Sequence, residues 1–287
     1  MRLSYVLSTK NKLPYLKITL SDLILHRKND EEIIVVDADS TDGTKEFLQD
    51  ALKNGKIQKL ISEPDYGEAH GTNKGLLLAQ GNFIKIMTDD DLFSFSTIER
   101  CVDFMEKNSQ IDVLSSNGGK VVLLSKTVSA FLYEKHFQAW TTESIPFAFC
   151  GLGIILRRNS LPLLGLFDTS FVRLDAEYSL RIMANKKIKI CIYTGTMYLH
   201  VANKNSNTNT LRVRYDAETK LLGEIYGWGK NVSLIKKIIN LIVWKIKKRE
   251  KEFSREDFSD YTESYSYYQE WIKKEGEKTD GKFLYKK

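Results

Sequence analysis

The acidic run Asp89–Asp91 is the part of the sequence whose residue types and spacing most directly suggest chemistry. It lies in the stretch KIMTDDDLFS at 85–94, immediately after an apolar run. Adjacent carboxylates repel one another, so three in a row lower stability unless water or a cation offsets their charge. If the preceding run is a strand, its alternation points Asp89 and Asp91 to one side and Asp90 to the other. A D-x-D pair on one side suits a hard divalent cation that also bridges substrate phosphates.

The alternative for the acidic run is a solvated helix start, where aspartate is favoured by capping and by the helix dipole. Ser96 and Glu99 match the S-x-x-E pattern of a capping box, which predicts that the next helix begins there. The aspartates are then not needed as caps, and the sequence favours the metal-binding interpretation.

The elements that position the acidic run alternate between strands and helices over the first 115 residues. Strands are predicted at 3–8, 32–37, 56–61 and 82–88. Helices are predicted between them at 14–27, 45–52 and 68–81, the last with Gly81 as its C-terminal cap. This alternation indicates a parallel sheet with helices on its faces, and ligands bind beyond the carboxyl ends of such strands. Asp37, Asp39, Asp65 and Asp89–Asp91 all follow strand ends, so we expect them to converge.

After residue 115 the pattern is looser. Strands are predicted at 120–125, 151–158 and 188–193, and helices at 176–187 and 211–227. We therefore divide the chain into a first half, residues 1–115, a second half, residues 116–228, and a C-terminal part, residues 229–287.

The C-terminal part begins with a basic amphipathic pattern at 231–251. Isoleucine and valine follow the spacing of one helix face, and lysine and arginine fill much of the remainder. Such a helix can lie on an anionic membrane surface, or it can pack on the main domain with solvated lysines. Residues 252–287 indicate a helical or loosely ordered tail, to which we assign no function.

Composition narrows the class of protein. The 287 residues carry a net charge of +6, which is too mild to indicate nucleic-acid binding. The three cysteines are far apart and fit neither a disulfide framework nor a zinc site, which indicates a reducing compartment. The start of the chain is too polar for a signal peptide, and no window reaches roughly 18 apolar residues. We expect a soluble, cytoplasmic protein, peripheral at the inner face of a membrane if the basic helix binds lipid.

Four short elements in the first 100 residues together resemble glycosyltransferase family 2. They are, in order, DADSTDGT at 37–44, SEPDYG at 62–67, NKG at 73–75 and the aspartates at 89–91. The element S-E-P-D-x-G is typical of one subgroup of the family, and a fainter similarity continues through LFDTSFVRLDAEYSLRIM at 166–183. The resemblance implies an α/β fold of the GT-A type, Rossmann-like, with a mostly parallel central sheet and helices on both faces. The C-terminal part then forms a helical extension.

The resemblance implies that residues 1–115 bind a nucleotide-diphosphate sugar, with a UDP-sugar favoured. Asp37 is then a nucleoside contact, supported by Ser8 and Thr9 at the end of the first strand. Asp65 is a second nucleoside contact, with a purely conformational role in its turn as the alternative. Ala38 stands where the family often has a second Asp.

The same resemblance implies a divalent metal, Mn²⁺ or Mg²⁺, that offsets charge on the diphosphate leaving group. Asp91 is then the main metal ligand, Asp89 lies near the ribose or the metal, and Asp90 has no firm role. Lys74 adds a cationic contact to the donor. His200 contacts the metal or the pyrophosphate, with a structural role as the alternative.

Residues 116–228 are implied to bind the acceptor and to supply the carboxylate that removes its proton. Asp175 takes the position of the general base, and Glu177 is the alternative. Asp175 also fits a purely structural role as a helix N-cap. The implied reaction is a single displacement that inverts the anomeric configuration and transfers the sugar to a saccharide or lipid-linked acceptor.

Two other functions compete with this one. A nucleotidyltransferase on a similar sheet usually opens with a glycine-rich basic loop after its first strand, and STKNKLPY at 8–15 lacks the glycines. A catalytically inactive nucleotide-sugar-binding protein would not need both the D-x-D pair and Asp175.

Overall fold

The computed structural model describes residues 1–202, 210–228 and 260–286 of the chain. A ten-stranded sheet runs through these residues. Its strands are β1 (Leu3–Thr9), β2 (Glu31–Asp37), β3 (Lys59–Ser62), β4 (Phe83–Met87), β5 (Leu92–Phe93), β6 (Val113–Val122), β7 (Val128–Phe131), β8 (Ile155–Arg157), β9 (Ile190–Ala202) and β10 (Phe283–Tyr285). The helices are α1 (Leu13–His26), α2 (Thr44–Lys53), α3 (Glu68–Leu78), α4 (Phe95–Lys107), α5 (Glu134–Glu143), α6 (Leu161–Leu164), α7 (Leu174–Ala184), α8 (Arg212–Tyr226) and α9 (Tyr261–Glu277).

The strands follow the order β10-β9-β6-β8-β4-β1-β2-β3, with β5 paired to β9 and β7 to β6. The predicted parallel part is present, because β1 pairs in parallel with β2 and β4, and β2 pairs in parallel with β3. A second parallel pair joins β6 to β9 along the whole length of β6. Strand β8 connects the two parts through antiparallel pairs with β4 and β6. The longest ladders are parallel, so the predicted α/β class with a mostly parallel sheet is confirmed.

The two faces of the sheet are covered by different helices. Tyr5 and Leu7 of β1 pack with residues of α1, α2 and α4 on one face. Val6 of the same strand packs with residues of α3, α5 and α7 on the other face. A slip of one residue would exchange these two layers, so the apolar packing fixes the register that brings the strand ends together.

Gly81 does not have the predicted role of a helix cap. Helix α3 ends at Leu78, and the Gly81 amide donates a hydrogen bond to Ser4 Oγ at 2.8 Å. A Cβ on Gly81 would overlap the backbone of β1 at Ser4. The glycine is therefore required by the close approach of this segment to β1, and not by the end of the helix.

Helix α4 begins before the predicted capping box. Ser94 is the N-cap, and its Oγ accepts a hydrogen bond from the Thr97 amide at 3.2 Å. Ser96 lies inside the helix, and Glu99 pairs with Lys28. The predicted capping box is wrong because β5 keeps the chain extended only as far as Phe93, so the first helical turn starts at Ser94. The aspartates nevertheless do not cap this helix.

Residues 151–158, which were predicted to form one strand, are held in place by hydrogen bonds from a buried lysine. The segment forms a 3₁₀ turn, Gly151–Gly153, and then β8. Lys85 of β4 is fully buried, and its Nζ donates hydrogen bonds to the carbonyls of Leu152 and Ile154. Burial lowers the pKa of Lys85 to about 7. The amine thus ties the strand before the acidic run to the turn at Gly151–Gly153.

Residues 260–286 belong to the main fold. Tyr265, Tyr268 and Ile272 of α9 are buried in a cluster with residues of β5, β6 and β9. Strand β10 pairs antiparallel with β9 at the edge of the sheet. The helical extension is thus present, whereas the basic amphipathic pattern at 231–251 lies outside the described residues.

Strand β6 crosses the boundary drawn between residues 115 and 116, and one sheet runs through both predicted halves. Within residues 1–202, 210–228 and 260–286, no helix has the length and apolar character needed to cross a membrane.

Candidate active site

A cavity of about 810 Å³ opens at the carboxyl ends of β1 and β4. It brings together most of the site residues expected from the sequence, which are Ser8, Thr9, Asp65, Asp89, Asp91, Asp175 and His200. Asp90 also lines it. Asp37, Lys74 and Glu177 lie outside the lining. The acidic run and Asp175, from the two predicted halves, therefore face one common space.

Asp89 and Asp90 both pair with the ammonium group of Lys12, which follows β1 by three residues. The Thr9 hydroxyl donates to Asp89 Oδ2 at 2.7 Å, and Lys12 Nζ lies 3.7 Å from Asp89 Oδ1. Lys12 also donates to Asp90 Oδ2. The expected alternation, with Asp89 and Asp91 on one side, is not observed, because the chain leaves the strand at Met87 before the first aspartate.

Asp91 is bound to β9. The Val201 amide donates to its Oδ1 at 2.6 Å, and His200 Nδ1 lies 3.1 Å from the same oxygen. The Thr88 hydroxyl donates to Oδ2. Asp91 is only 3% exposed. Burial opposes the charge on His200, but Asp91 raises the pKa of that imidazole above its ordinary value.

Burial and mutual repulsion disfavour the charged forms of the carboxylates in the acidic run. Burial, aided by repulsion from Asp90, raises the pKa of Asp89 to about 7, although Lys12 opposes the shift. Burial and the neighbouring Asp91 raise the pKa of Asp90 to about 6. An added cation beside these carboxylates would restore their charged forms and relieve the repulsion.

The carboxylates of this wall fit a hard divalent cation, since carboxylate oxygens are ligands that suit Mn²⁺ and Mg²⁺. Within the described part of the chain, however, no group of three or more His, Cys, Asp or Glu side chains already surrounds one point. The assignment of Asp89 and Asp91, with His200 beside them, as metal ligands stays a prediction.

Asp175 lines the same cavity from the first turn of α7. It is half-buried, and its Oδ1 accepts a hydrogen bond from the Ala176 amide at 2.7 Å. The N-cap of the helix is Arg173, so the structural alternative in which Asp175 is the cap does not apply. Glu177, the alternative base, is 4% exposed and pairs with Arg181 Nε at 2.7 Å. Of the two acids, only Asp175 lines the cavity.

Asp37 organises a loop and does not reach the cavity. It is fully buried, its oxygens accept from the Ser40 amide at 3.2 Å, and Ser62 Oγ donates to Oδ2 at 2.7 Å. The loop that follows β2 and the end of β3 are thereby held at the rim of the site.

Asp65 both lines the cavity and closes a turn. Its Oδ1 accepts from the Gly67 amide at 2.9 Å, and Gly67 has a φ of 109°, which only glycine adopts without strain. Lys74 is directed away from the cavity and pairs with Glu63 at 2.8 Å.

Two features of the site were not expected from the sequence. Lys12 compensates the charge of the acidic run, and its position three residues after β1 is a signal that could have indicated it. Tyr265 of α9 donates from Oη to the backbone carbonyl of Asp90 at 2.6 Å. No local pattern could have indicated a contact between residues so far apart in the chain.

The site lies where a sheet of this kind binds nucleotides, and comparisons with known proteins define its class. The sequence profile described as Glycosyl transferase family 2 matches residues 4–161, more than half of the chain. The chain therefore belongs to that family, and the family prediction is confirmed. The subgroup with the S-E-P-D-x-G element stays a prediction.

Two relatives show how far sequence similarity extends. A protein of Bacillus subtilis named putative teichuronic acid biosynthesis glycosyltransferase TuaG is 30% identical over 107 residues, which are 37% of this chain and 42% of that protein. An uncharacterized glycosyltransferase of Haemophilus influenzae is 32% identical over 114 residues, 39% of this chain and 35% of that protein. The chain thus spans less than half the length of either relative.

Solved structures show the same fold. TarS 1–349 of S. aureus in complex with UDP-GlcNAc has a TM-score of 0.54 at 18% identity, covering 73% of this chain and 61% of that one. The mannosyltransferase PcManGT from Pyrobaculum calidifontis, in complex with GDP-Man and Mn²⁺, has a TM-score of 0.56 at 21% identity. That match covers 77% of this chain and 64% of the mannosyltransferase. The predicted GT-A fold is confirmed.

Proposed function

We propose that the chain is an inverting glycosyltransferase that moves a sugar from a nucleotide-diphosphate donor to a saccharide or lipid-linked acceptor. One observation carries the proposal: the acidic run Asp89–Asp91 and the carboxylate of Asp175 line the same cavity. Membership of the family supports it. A UDP-sugar is the favoured donor, and the two neighbours in complex with UDP-GlcNAc and GDP-Man support a nucleotide sugar in general.

The donor binds at the wall formed by the ends of β1 and β4. Ser8 and Thr9 offer hydroxyl groups to the nucleoside, and Asp65 accepts hydrogen bonds from it. Asp37 acts indirectly in this scheme, through the loop at Ser40 and through Ser62. Lys74 also acts indirectly, because its Nζ bonds the Pro64 carbonyl at 3.4 Å and so supports the turn that carries Asp65.

Asp89 and Asp91, with His200 beside them, would hold a divalent metal at this wall. A bound Mn²⁺ or Mg²⁺ supplies a positive charge that stabilises the diphosphate as it leaves. The chain's own contribution is the fixed position of the carboxylates. Asp91 is tied to the Val201 amide, and Asp89 is tied to Thr9.

Asp175 removes the proton from the acceptor hydroxyl as that oxygen attacks the anomeric carbon. A positioned carboxylate contributes about 10²- to 10⁴-fold to such a step. In a single displacement the acceptor hydroxyl attacks the anomeric carbon from the side opposite to the leaving diphosphate, and the configuration is inverted. We assign donor binding to residues 1–115 and acceptor binding to residues 116–228.

The acceptor is proposed to belong to polysaccharide biosynthesis, following the relative named for teichuronic acid biosynthesis. Binding to a membrane surface through residues 231–251 and a cytoplasmic location both stay predictions.

A thermal-shift experiment with nucleotide sugars tests the proposal. UDP, UDP-sugars and GDP-mannose, each with and without Mn²⁺, should raise the melting temperature only where they bind the native chain. Asp89→Asn and Asp91→Asn should remove the Mn²⁺-dependent part of the shift. Asp50→Asn, an exposed position on α2, serves as the control and should keep it.

Turnover is then measured with the donor that binds. Release of the nucleoside diphosphate together with a glycosylated product supports transfer, whereas formation of a nucleoside triphosphate and a sugar 1-phosphate when pyrophosphate is added would indicate a nucleotidyltransferase. Binding without turnover across a panel of saccharide acceptors would indicate an inactive nucleotide-sugar-binding protein.

A further inference from the structure

The guanidinium of Arg173 is clamped between two aromatic rings in the wall of the active-site cavity. Its central carbon lies 4.3 Å from the ring centroid of Tyr215 and 4.7 Å from that of Trp228. All three residues line the same cavity as Asp175, which follows Arg173 by two positions. The clamp therefore lies on the wall that the proposed function assigns to the acceptor.

This guanidinium is one of those that have no carboxylate partner among the described residues. Four arginines form ion pairs with aspartate or glutamate, and they are Arg2, Arg181, Arg212 and Arg214. Within residues 1–202, 210–228 and 260–286, no carboxylate lies within ion-pair distance of Arg173. Its Nη1 donates to the Thr219 hydroxyl, whereas its Nε is buried without a hydrogen-bond partner among those residues.

Glu218, which accepts a hydrogen bond from the Arg173 amide, is already engaged. The Val172 and Arg173 amides donate to Glu218 at 2.9 and 2.8 Å, and Arg214 Nε donates to it at 2.9 Å. These bonds use both carboxylate oxygens to hold the backbone of residues 172–173 against α8. The positive charge of the Arg173 side chain is left available to the cavity.

Burying the Nε donor of a guanidinium that has no ion-pair partner costs free energy. At a cavity wall, such a donor points to a ligand that accepts its hydrogen bond. The planar guanidinium presents a fork of N–H groups that matches phosphate and carboxylate oxygens. The two nearby rings favour the cation, and its N–H edge is the part that an anion binds. Asp89–Asp91, which line the same cavity, would repel an anion that carried no metal.

We propose that Arg173, held by Tyr215 and Trp228, forms a subsite for an anionic group on the acceptor saccharide. The group is a phosphate or a carboxylate, which share the oxygen geometry that the guanidinium recognises. This inference rests on the proposed function, because it takes the wall of Asp175 as the acceptor side.

Calorimetric titration of the full chain, saturated with UDP and Mn²⁺, tests the subsite with two matched ligand pairs. One pair is tetragalacturonic acid and its carboxyl-reduced form, and the other is glucose 6-phosphate and glucose. The wild-type chain should bind the anionic member of at least one pair about 10-fold or more tightly than the neutral member. The pair that shows the preference identifies the anion.

Arg173→Gln should remove the preference and leave binding of the neutral member unchanged. Arg173→Lys keeps the charge without the fork and should restore part of the preference. Lys220→Gln is the control, since Lys220 is exposed on α8 and pairs with Glu224 outside the cavity. It should keep the full preference.

Three results would overturn the subsite. The wild-type chain could bind both members of each pair equally while binding UDP normally. Arg173→Gln could weaken the neutral and the anionic members by the same factor, or Arg173→Gln and Arg173→Lys could both weaken UDP itself, which would assign the arginine to the nucleotide. A wild-type chain that does not bind UDP with Mn²⁺ is a distinct outcome. It would overturn the proposed function, and this inference with it.

Discussion

At the scale of single residues, the three consecutive aspartates have different partners and should respond differently to substitution. Asp89 and Asp90 share Lys12 and have pKa values raised by burial, whereas Asp91 is bonded to the Val201 amide. Removing the Asp91 carboxylate leaves a buried amide without its acceptor, which costs about 1–3 kcal/mol. Loss of function at Asp91 therefore has to be separated from loss of stability, and asparagine is the appropriate replacement there.

Asp175→Asn tests the assignment of the general base. The amide has the same shape and keeps an oxygen that can accept from the Ala176 amide, so the fold and donor binding should be unchanged. Turnover should fall about 10²- to 10⁴-fold, because the amide cannot accept the acceptor's proton. Steady-state kinetics should show the loss in kcat with little change in the KM for the donor.

Glu177→Gln is the comparison for that experiment. It removes the ion pair with Arg181 and should lower stability with a smaller effect on kcat. Full activity of Asp175→Asn, together with inactivity of a folded Glu177→Gln, would transfer the base to Glu177.

Lys85 makes the stability of the protein depend on pH in a definite direction. Its pKa falls to about 7 on burial, from an ordinary value near 10.5. Between these values the unfolded state binds the extra proton, so the free energy of unfolding rises with pH by up to about 1.4 kcal/mol per unit. Below about pH 7 both states carry the proton, and this contribution is constant.

Lys85→Met should remove that dependence. Chemical unfolding of the two chains from pH 6 to pH 10 should show a stability difference in favour of the wild type that grows above about pH 7. Lys107→Met, at an exposed position of α4, should leave the slope unchanged. Parallel profiles for the wild type and Lys85→Met would contradict a lowered pKa at this lysine.

At the scale of elements, α9 supports the acidic run from behind. Tyr265 is 1% exposed, its ring packs against that of Tyr15 at 6.0 Å, and its Oη donates to the Asp90 carbonyl. The neighbouring Tyr268 is equally buried, but its Oη donates to the carbonyl of Ser125, which does not line the cavity. The two tyrosines therefore form a matched pair.

Tyr265→Phe and Tyr268→Phe should each lower stability by about 1 kcal/mol, because each loses one buried hydrogen bond. Only Tyr265→Phe should also weaken Mn²⁺-dependent UDP binding, by about 5-fold, since it alone releases the backbone of the acidic run. Calorimetric titration of UDP with Mn²⁺ measures this. Equal affinities for the two variants would show that α9 contributes to folding only.

The sequence predicted the elements with strong periodic patterns and missed those set by distant contacts. The buried runs of β1, β2 and β4 have the composition of strands covered on both faces, and they lie within a residue or two of their predicted positions. The turn at Gly151–Gly153 was predicted as a strand, because its apolar residues pack beneath β6 and Lys85 without extending. Local composition cannot distinguish these two uses of apolar side chains.

The sequence also predicted part of the candidate site and missed the part that distant contacts determine. Convergence of Asp65, Asp89, Asp91 and Asp175 follows from their places in the parallel sheet and from the family resemblance. The sequence did not predict the contacts of Lys12 and Tyr265 with the acidic run, or that Asp37 lies outside the cavity lining. These positions depend on side-chain rotamers and on the paths of loops, which residue spacing does not determine.

At the scale of the whole molecule, residues 260–286 complete the core and are not a separate tail. Burial of Tyr265, Tyr268 and Ile272 contributes about 1.5–3 kcal/mol for each side chain. Their sum is a large fraction of the 5–15 kcal/mol by which a domain is typically stable.

A chain that ends at residue 259 should therefore melt about 10 °C or more below the full chain. It should also expose the apolar surfaces of β5 and β9 and bind an apolar dye. A synthetic peptide of residues 260–287 added in trans should recover part of the melting temperature. An unchanged melting temperature for the shortened chain would show that the cluster contributes little.

The bond between Tyr265 and the Asp90 carbonyl joins residues 175 positions apart in the chain. At a translation rate of about 5–20 residues per second, the tyrosine is made roughly 9–35 s after the aspartate. During that interval a nascent chain holds β1, β2 and β4 but lacks the helix that covers β5. The acidic run, whose buried charges lower stability, therefore lacks the hydrogen bond from Tyr265 during synthesis. We expect the chain to bind nucleotide only after residues 261–285 have been synthesised and packed.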